Sequence, residues 1–318
     1  MKALKIVGLG LAVLIRLAVV AYAWASHAAG RKLSKTYATH TVDFPIPFAT
    51  SRQEVRNAAD SGGRARAEAV ERGRHLVESR YGCSGCHGSD FGGGVMVDNA
   101  AIGSLLGPNL TAGKGSVILG YTASDWDRIV RHGVKRNGTP ALMPSQDFRQ
   151  MSDQELSDIV AFIQSRPGVD KWVPAPSLGP VGKVLLATGK FTLSADILAP
   201  HDKPHAASPP APEVTVDFGR HLAGACMGCH RSDLGGGTIV AGDPAWPPAA
   251  NLTPGTDGLD GWTFTDFART MREGKRPDGT ALRPPMSELI PYARKMTDVE
   301  LQALWTYLRS LPPVAHRE

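Results

Sequence analysis

The residues with the most specific chemistry are two cysteine pairs, each followed at once by a histidine. They form two C-x-x-C-H motifs, Cys83-Ser84-Gly85-Cys86-His87 and Cys226-Met227-Gly228-Cys229-His230, and the chain has no other cysteine. Two thiols at this spacing can form thioethers with both vinyl groups of one haem, and the adjacent imidazole then reaches the iron as an axial ligand. The motifs therefore predict two covalently bound haem c groups, with His87 and His230 as proximal ligands.

Cysteine pairs can have three other roles in proteins, and each is an alternative to haem attachment here. Local disulfides are possible in an exported protein, but they would leave both flanking histidines unexplained. A thioredoxin-like redox pair needs a βαβ context, which the sequence does not show. A structural zinc ion held by all four thiols is the strongest alternative, although the pairs lie in opposite halves of the chain. Haem attachment accounts for all six residues, and the zinc site stays open as the alternative.

The two motifs belong to an internal duplication, because matching segments recur in the same order in both halves. Gly-Arg-His-Leu at 73–76 recurs at 219–222, and Asn-Leu-Thr at 109–111 recurs at 251–253. Each half therefore carries its own copy of one unit around one haem motif.

The unit is predicted to be helical. Ser152-x-x-Glu155 and Thr297-x-x-Glu300 are capping boxes ahead of apolar residues at helical spacing, so a helix closes each half. Further helices are predicted at 65–80, 124–132, 217–224 and 265–273. Strand-like alternation is scarce. The sequence therefore predicts an all-α fold of two tandem domains.

The chain divides into five predicted segments. They are a signal peptide or membrane anchor at 1–30, a connecting segment at 31–64, a first domain at 65–170, a proline-rich linker at 171–213 and a second domain at 214–318. One short helix is expected at 182–191, so the linker is predicted to pack against a domain.

The N-terminal segment is an apolar stretch interrupted only by Arg16 and preceded by two lysines. Ala-x-Ala triplets at 21–23 and 23–25 are candidate signal-peptidase sites. Tyr22 and Trp24 suit the membrane interface and favour a retained anchor. Whether the segment is cleaved or retained, the remaining chain is exported. The predicted location is therefore the periplasm, with the helix anchored in the inner membrane.

Each half resembles a class I cytochrome c domain, and the tandem is similar to the dihaem cytochromes that accompany periplasmic dehydrogenases. The resemblance is carried by C-x-x-C-H, Asn-Leu-Thr, a methionine near proline and a Ser/Thr-Asp-x-x-Leu helix, in that order, twice. It implies that a glycine of the first helix packs on an aromatic residue of the last one. The positions that match are Gly73 with Phe162, and Gly219 with Tyr307.

The resemblance also implies how the haem iron is held. A backbone carbonyl orients the proximal histidine, a role that Pro108 suits in the first half and Ala250 occupies in the second. Met143 and Met286, each beside proline, are the predicted sixth ligands.

Three other methionines are predicted to have structural roles. Met151 and Met296 precede the N-caps of the closing helices, where a hydrophobic staple is expected. Met96 follows a glycine run and has no methionine counterpart in the second half, so its side chain is expected to pack rather than to bind a haem. His75 and His221, on the first helices, are expected to be surface or packing residues rather than ligands.

The leading functional prediction is an electron carrier without catalytic residues of its own. The sequence shows no dinucleotide-binding glycine pattern and no nucleophile arrangement. Its 35 basic and 30 acidic residues are mixed along the chain, which argues against nucleic-acid binding. The expected partners are redox proteins, namely a periplasmic dehydrogenase and an oxidase or another cytochrome, together with the membrane. The alternative is a haem enzyme with one open coordination position, of the peroxidase or thiosulfate-oxidising type.

Overall fold

The computed structural model of the chain describes residues 2–48, 63–239 and 245–316. Residues 49–62 of the predicted connecting segment lie outside these ranges.

Helix α1 runs from Lys2 to Ser34, so it extends beyond the apolar stretch that predicts it. From Lys5 onward it is long and apolar enough to cross a membrane, with a mean hydropathy of 2.3 over its most apolar part. None of the residues in that part is buried against the rest of the protein. Near its C-terminal end Ala25 and Ala29 are buried. The helix therefore has a free apolar part and an end that packs on the protein.

Within the described residues, the first half has four α-helices after α1, and they surround one apolar core. They are α2 (Gly63–Leu76), α3 (Ser84–His87), α4 (Ala123–His132) and α5 (Asp153–Gln164). Helix α2 continues into a π-helical turn, Val77–Tyr81, which ends at Gly82 in the left-handed conformation with φ 57°. This turn leads the chain directly into the first cysteine motif. The core contains Trp126, Leu156 and Phe162.

A small sheet departs from the purely helical prediction. Strands β1 (Gly94–Asn99) and β2 (Gly103–Gly107) form an antiparallel hairpin, and β3 (Ser177–Leu178) of the linker pairs with β2. The hairpin escapes prediction because most of β1 is exposed on both faces, so its sequence carries no alternation of apolar and polar residues. The sheet is minor, and the all-α fold class is confirmed.

The linker carries two helices, α6 (Pro180–Thr188) and α7 (Ser194–Ile197). Leu186 and Leu193 form a small apolar cluster with Ala29 of α1. Lys32 at the end of α1 donates to the carbonyl oxygen of Leu186 at 2.8 Å. The prediction that the linker packs rather than swings freely is confirmed.

The second half repeats the helical order of the first. Its helices are α8 (Val216–Ala223), α9 (Met227–His230), α10 (Phe264–Glu273), α11 (Met286–Ala293) and α12 (Asp298–Ser310). Both predicted capping boxes are formed, at the start of α5 by Ser152 and Glu155 and at the start of α12 by Thr297 and Glu300. Helix α11 is absent from the prediction, because Pro291 lies inside it and conceals the helical pattern.

Candidate functional site

Both motif histidines are oriented by a backbone carbonyl. His87 Nδ1 lies 3.0 Å from the carbonyl oxygen of Pro108, and His230 Nδ1 lies 2.7 Å from that of Ala250. A carbonyl oxygen only accepts, so each Nδ1 carries the proton and each Nε2 keeps a free lone pair. Burial lowers the pKa of both imidazoles, which keeps the rings neutral at pH 7. The expected carbonyl contacts are confirmed in both halves, and both rings are prepared to bind a metal through Nε2.

The cysteines of the motifs lie on the short helices and the turns before them. All four are free thiols and partly buried. Burial raises the pKa of Cys83 and of Cys226 to about 12, so neither is a thiolate at neutral pH. Within the described ranges, no three ligands drawn from the two motifs converge on one point. The alternative of a zinc ion shared by the two motifs therefore does not match the structure, and the four thiols are free rather than joined in local disulfides.

The β-hairpin supports the first motif from one side. A Cβ on Gly94 or on Gly107 would collide with the backbone around Cys86. Met96 of the hairpin is 43% exposed, and its Sδ lies 3.4 Å from Cys86 Sγ. The expected packing is therefore partial, because Met96 lies outside the apolar cores of the described residues and its sulfur contacts the first cysteine motif.

The first and last helices of each half cross at a glycine. A Cβ on Gly73 would overlap the carbonyl oxygen of Asp158 and crowd Phe162. A Cβ on Gly219 would overlap the carbonyl oxygen of Ala303 and crowd Tyr307. The glycine-on-aromatic contacts expected from the resemblance are confirmed.

The four methionines considered as sixth ligands or as their rivals fall into two groups. Met151 and Met296 are 2% and 8% exposed, and they lie in the two main apolar cores with Leu156 and Leu301 respectively. Met143 and Met286 lie outside the apolar clusters of the described residues and are only partly buried. Packing in the core thus accounts for the first pair and leaves the second pair free for another role.

Each cysteine motif also packs against the opposite half of the chain. Tyr292 of α11 covers the first motif, with its Oη 3.5 Å from Ser84 Oγ. The carboxylate of Asp147 lies against Gly228 of the second motif, and burial raises the pKa of this acid to about 7. Asp147 lies shortly after Met143, the candidate sixth ligand of the first half. Tyr292 lies shortly after Met286, the candidate sixth ligand of the second half. The two sites therefore meet at one interface between the domains.

A charged cluster crosses the same interface. His75 Nε2 lies 2.9 Å from Glu300, and His221 Nε2 lies 2.8 Å from Glu155, so each first helix contacts the last helix of the opposite domain. Arg80 donates to Glu300 at 2.7 Å and to Glu155 at 3.1 Å. This arrangement agrees with the expectation that both histidines are surface or packing residues rather than ligands, and it identifies their partners as glutamates of the opposite domain.

Comparisons with known proteins agree with the duplication. Residues 68–163 match the family of cytochrome c oxidase, cbb3-type, subunit III, and residues 216–312 match the cytochrome c family.

Three curated relatives match most of the chain. It is 28% identical over 281 residues to the gluconate 2-dehydrogenase cytochrome c subunit of Pantoea cypripedii, covering 80% of this chain and 62% of that protein. It is 26% identical to the fructose dehydrogenase cytochrome subunit of Gluconobacter japonicus, covering 79% of this chain and 54% of that protein. It is 25% identical to a diheme cytochrome c-type protein of Cereibacter sphaeroides, covering 73% of this chain and 83% of that protein. The chain thus spans a little over half the length of the two dehydrogenase subunits.

Proposed function

Because this chain consists largely of two tandem cytochrome c domains, we propose that it is the dihaem electron-transfer subunit of a periplasmic dehydrogenase. In this role it receives electrons from the dehydrogenase and delivers them to an oxidase or another cytochrome. The relatives are named as cytochrome subunits of gluconate and fructose dehydrogenases, which supports a dehydrogenase partner.

In this proposal the residues of each motif hold one haem c. Cys83 and Cys86 bind the first group and Cys226 and Cys229 the second, with His87 and His230 as proximal ligands. Haem c supplies a reversible one-electron change at iron, with a potential that a methionine ligand raises. The carbonyl contacts of the two histidines support the assignment, because they fix the tautomer that ligation needs.

Met143 and Met286 are proposed as the sixth ligands. Their exclusion from the apolar cores supports this role, and the burial of Met151 and Met296 argues against these two rivals. A pair of His and Met ligands closes the coordination sphere, which suits electron transfer rather than substrate binding.

One observation carries the proposal: both attachment motifs pack against the same interdomain interface. Electron exchange between two redox sites weakens steeply with the thickness of protein between them. The contacts of Tyr292 with the first motif and of Asp147 with the second keep both sites at one surface. The ion cluster around Arg80 fixes that arrangement.

Helix α1 is proposed as the membrane anchor that keeps the subunit beside its partners in the periplasm. Its side chains are exposed over the apolar stretch, while its end is tied to the linker. Lys35 and Tyr37, just beyond the helix, both donate to Asp196 of linker helix α7, so the anchor is joined to the linker.

The test uses the full chain, solubilised in detergent after expression in a host that matures c-type cytochromes. A reductive titration should take up two electrons per chain, and a dehydrogenase that co-purifies with the chain should reduce both sites when given its substrate. Carbon monoxide should leave the reduced spectrum unchanged. Carbon monoxide binding at one site, together with peroxide or thiosulfate turnover that is lost when a haem ligand of that site is replaced, would favour the enzyme alternative instead.

A further inference from the structure

Three histidines and an aspartate meet at a place remote from both cysteine motifs in sequence. His40 follows α1, Asp127 and His132 lie on α4, and His205 belongs to the linker. One candidate ligand atom from each residue lies within 4.8 Å of all the others. The side chains of Asp127 and His132 are 0% and 5% exposed, and those of His40 and His205 are 12% and 10% exposed. The group is nearly sealed from solvent.

The spacing of these atoms matches four-coordinate metal binding. His132 Nε2 lies 3.3 Å from His205 Nε2 and 3.4 Å from Asp127 Oδ2. The distance from His205 Nε2 to Asp127 Oδ1 is 3.7 Å, and that from His40 Nε2 to Asp127 Oδ2 is 3.9 Å. Tetrahedral zinc, with bonds of about 2.0–2.1 Å, separates its ligand atoms by about 3.3 Å. Small movements of the side chains would bring all four atoms to bonding distance.

The surrounding hydrogen bonds orient two of the rings for ligation. His40 Nδ1 lies 3.2 Å from the carbonyl oxygen of His201, so its proton is on Nδ1 and its Nε2 is bare. His201 Nε2 donates to the carbonyl oxygen of Ala195 at 3.0 Å, which leaves His201 Nδ1 as an acceptor. That acceptor lies 3.1 Å from His132 Nδ1, so His132 also keeps its lone pair on Nε2. Such outer hydrogen bonds accompany metal-bound histidines.

Two buried atoms in the group have no hydrogen-bond partner, His40 Nε2 and Asp127 Oδ2. A buried acceptor without a partner has lost its hydrogen bonds to water and gained none in return, so native proteins rarely leave one, and here two acceptors face each other. A cation between them would satisfy both at once.

The charges around the group also favour a cation. Arg131 donates to Asp127 Oδ1 at 2.8 Å and to Asp153 at 2.7 Å. One guanidinium therefore lies between two carboxylates, and one negative charge remains. A divalent ion bound to Asp127 Oδ2 would compensate that negative charge.

We propose that His40, Asp127, His132 and His205 form a structural site for a divalent transition metal of the zinc class. Three imidazoles and one carboxylate suit zinc rather than calcium or magnesium, which prefer oxygen ligands. Four protein ligands fill a tetrahedral sphere and leave no open position, as in structural sites. The metal joins the segment after the anchor helix, helix α4 and the linker, so it holds the anchor and the linker on the first domain.

The test measures metals in the haem-loaded full chain after desalting. Elemental analysis should find about one equivalent of a zinc-class metal per chain in addition to iron. After treatment with a chelator, added zinc chloride should restore one equivalent and raise the melting temperature, since a ligand that binds only the folded state stabilises it.

Variants separate this site from adventitious binding. His40→Gln and His205→Gln should abolish the zinc-dependent rise in melting temperature, whereas His316→Gln, at the far end of the chain, should retain it. His201→Ala should weaken zinc affinity about 10- to 100-fold, because His201 orients two ligands without binding the metal. An unchanged visible spectrum shows that each variant is folded. The proposal is overturned if the stripped chain takes up no zinc, or if His40→Gln and His205→Gln bind zinc as the unmodified chain does.

Discussion

Glu155, which caps the closing helix of the first domain, accepts a hydrogen bond from His221 of the second domain at 2.8 Å. The same carboxylate accepts from the backbone of Ser152 at 2.9 Å, so one side chain ends a helix and joins two domains. Glu300 repeats this arrangement with Thr297 and His75. The duplication has therefore placed equivalent residues on both sides of a nearly symmetric interface. Arg80 is the exception, because the second half has no arginine at the matching place.

Replacing Arg80 with glutamine should destabilise the protein by about 3–5 kcal/mol, because two buried carboxylates would lose the cation between them. Denaturant unfolding followed by tryptophan fluorescence measures the change. The matched control is Arg74→Gln on the exposed face of α2, which should leave stability unaltered. Equal stabilities for the two variants would show that the interface does not depend on Arg80.

The contribution of Glu300 to stability should depend on pH. Burial alone would raise the pKa of Glu300, but the hydrogen bond from His75 and the charge of Arg80 outweigh it and lower the pKa from 4.5 to about 2. A carboxylate with a lowered pKa stabilises the fold above its ordinary pKa, and that contribution is lost as the pH falls towards the folded-state value.

Melting temperatures of the unmodified chain and of Glu300→Gln, measured from pH 7 to pH 2, test this. Glutamine keeps the capping geometry and removes the charge. The difference between the two should be constant down to about pH 5 and should shrink towards zero near pH 2. A difference that stays constant over the whole range would refute the assigned pKa.

Gly73→Ala and Gly219→Ala should each destabilise their own domain by about 1–3 kcal/mol, since the new Cβ forces two packed helices apart. Gly63→Ala is the matched control, because a Cβ there meets nothing within 4 Å. Thermal unfolding and the yield of haem-loaded protein measure the effect. Should all three variants behave alike, the close helix crossings would not be needed for the fold.

The sixth ligands can be tested by replacing methionines. Met143→Ala and Met286→Ala should each remove one half of the charge-transfer absorption of methionine-bound ferric haem. Met151→Ala and Met296→Ala should keep that absorption while losing about 2–5 kcal/mol of stability, because both side chains fill apolar cores. If Met296→Ala removes the absorption and Met286→Ala does not, the assignment in the second domain is wrong.

The sequence predicts best what local patterns determine. The capping boxes at Ser152 and Thr297 follow from short motifs, whereas the helix crossings at Gly73 and Gly219 follow from the resemblance to class I cytochrome c domains. The structure contains all of them. The hairpin of β1 and β2 is missed because most of β1 is exposed, so burial leaves no pattern in its sequence.

Long-range contacts are beyond such patterns. His75 pairs with a glutamate 225 residues away, and nothing near His75 indicates it. The histidine cluster joins His40, His132 and His205 from three separate segments. The linker carries two histidines, His201 and His205, but its sequence gives no information about where the linker packs.

The most direct test of the two-haem account is the intact mass of the chain after expression in a host that matures c-type cytochromes, with iron measured on the same sample. A chain with two covalent haems should have the mass of the polypeptide, with or without its N-terminal segment, plus two haem groups, and should contain two iron atoms. Replacing Cys226 and Cys229 with alanine should leave one haem group and one iron atom. A mass equal to the bare polypeptide, or a single haem on the unmodified chain, would contradict it.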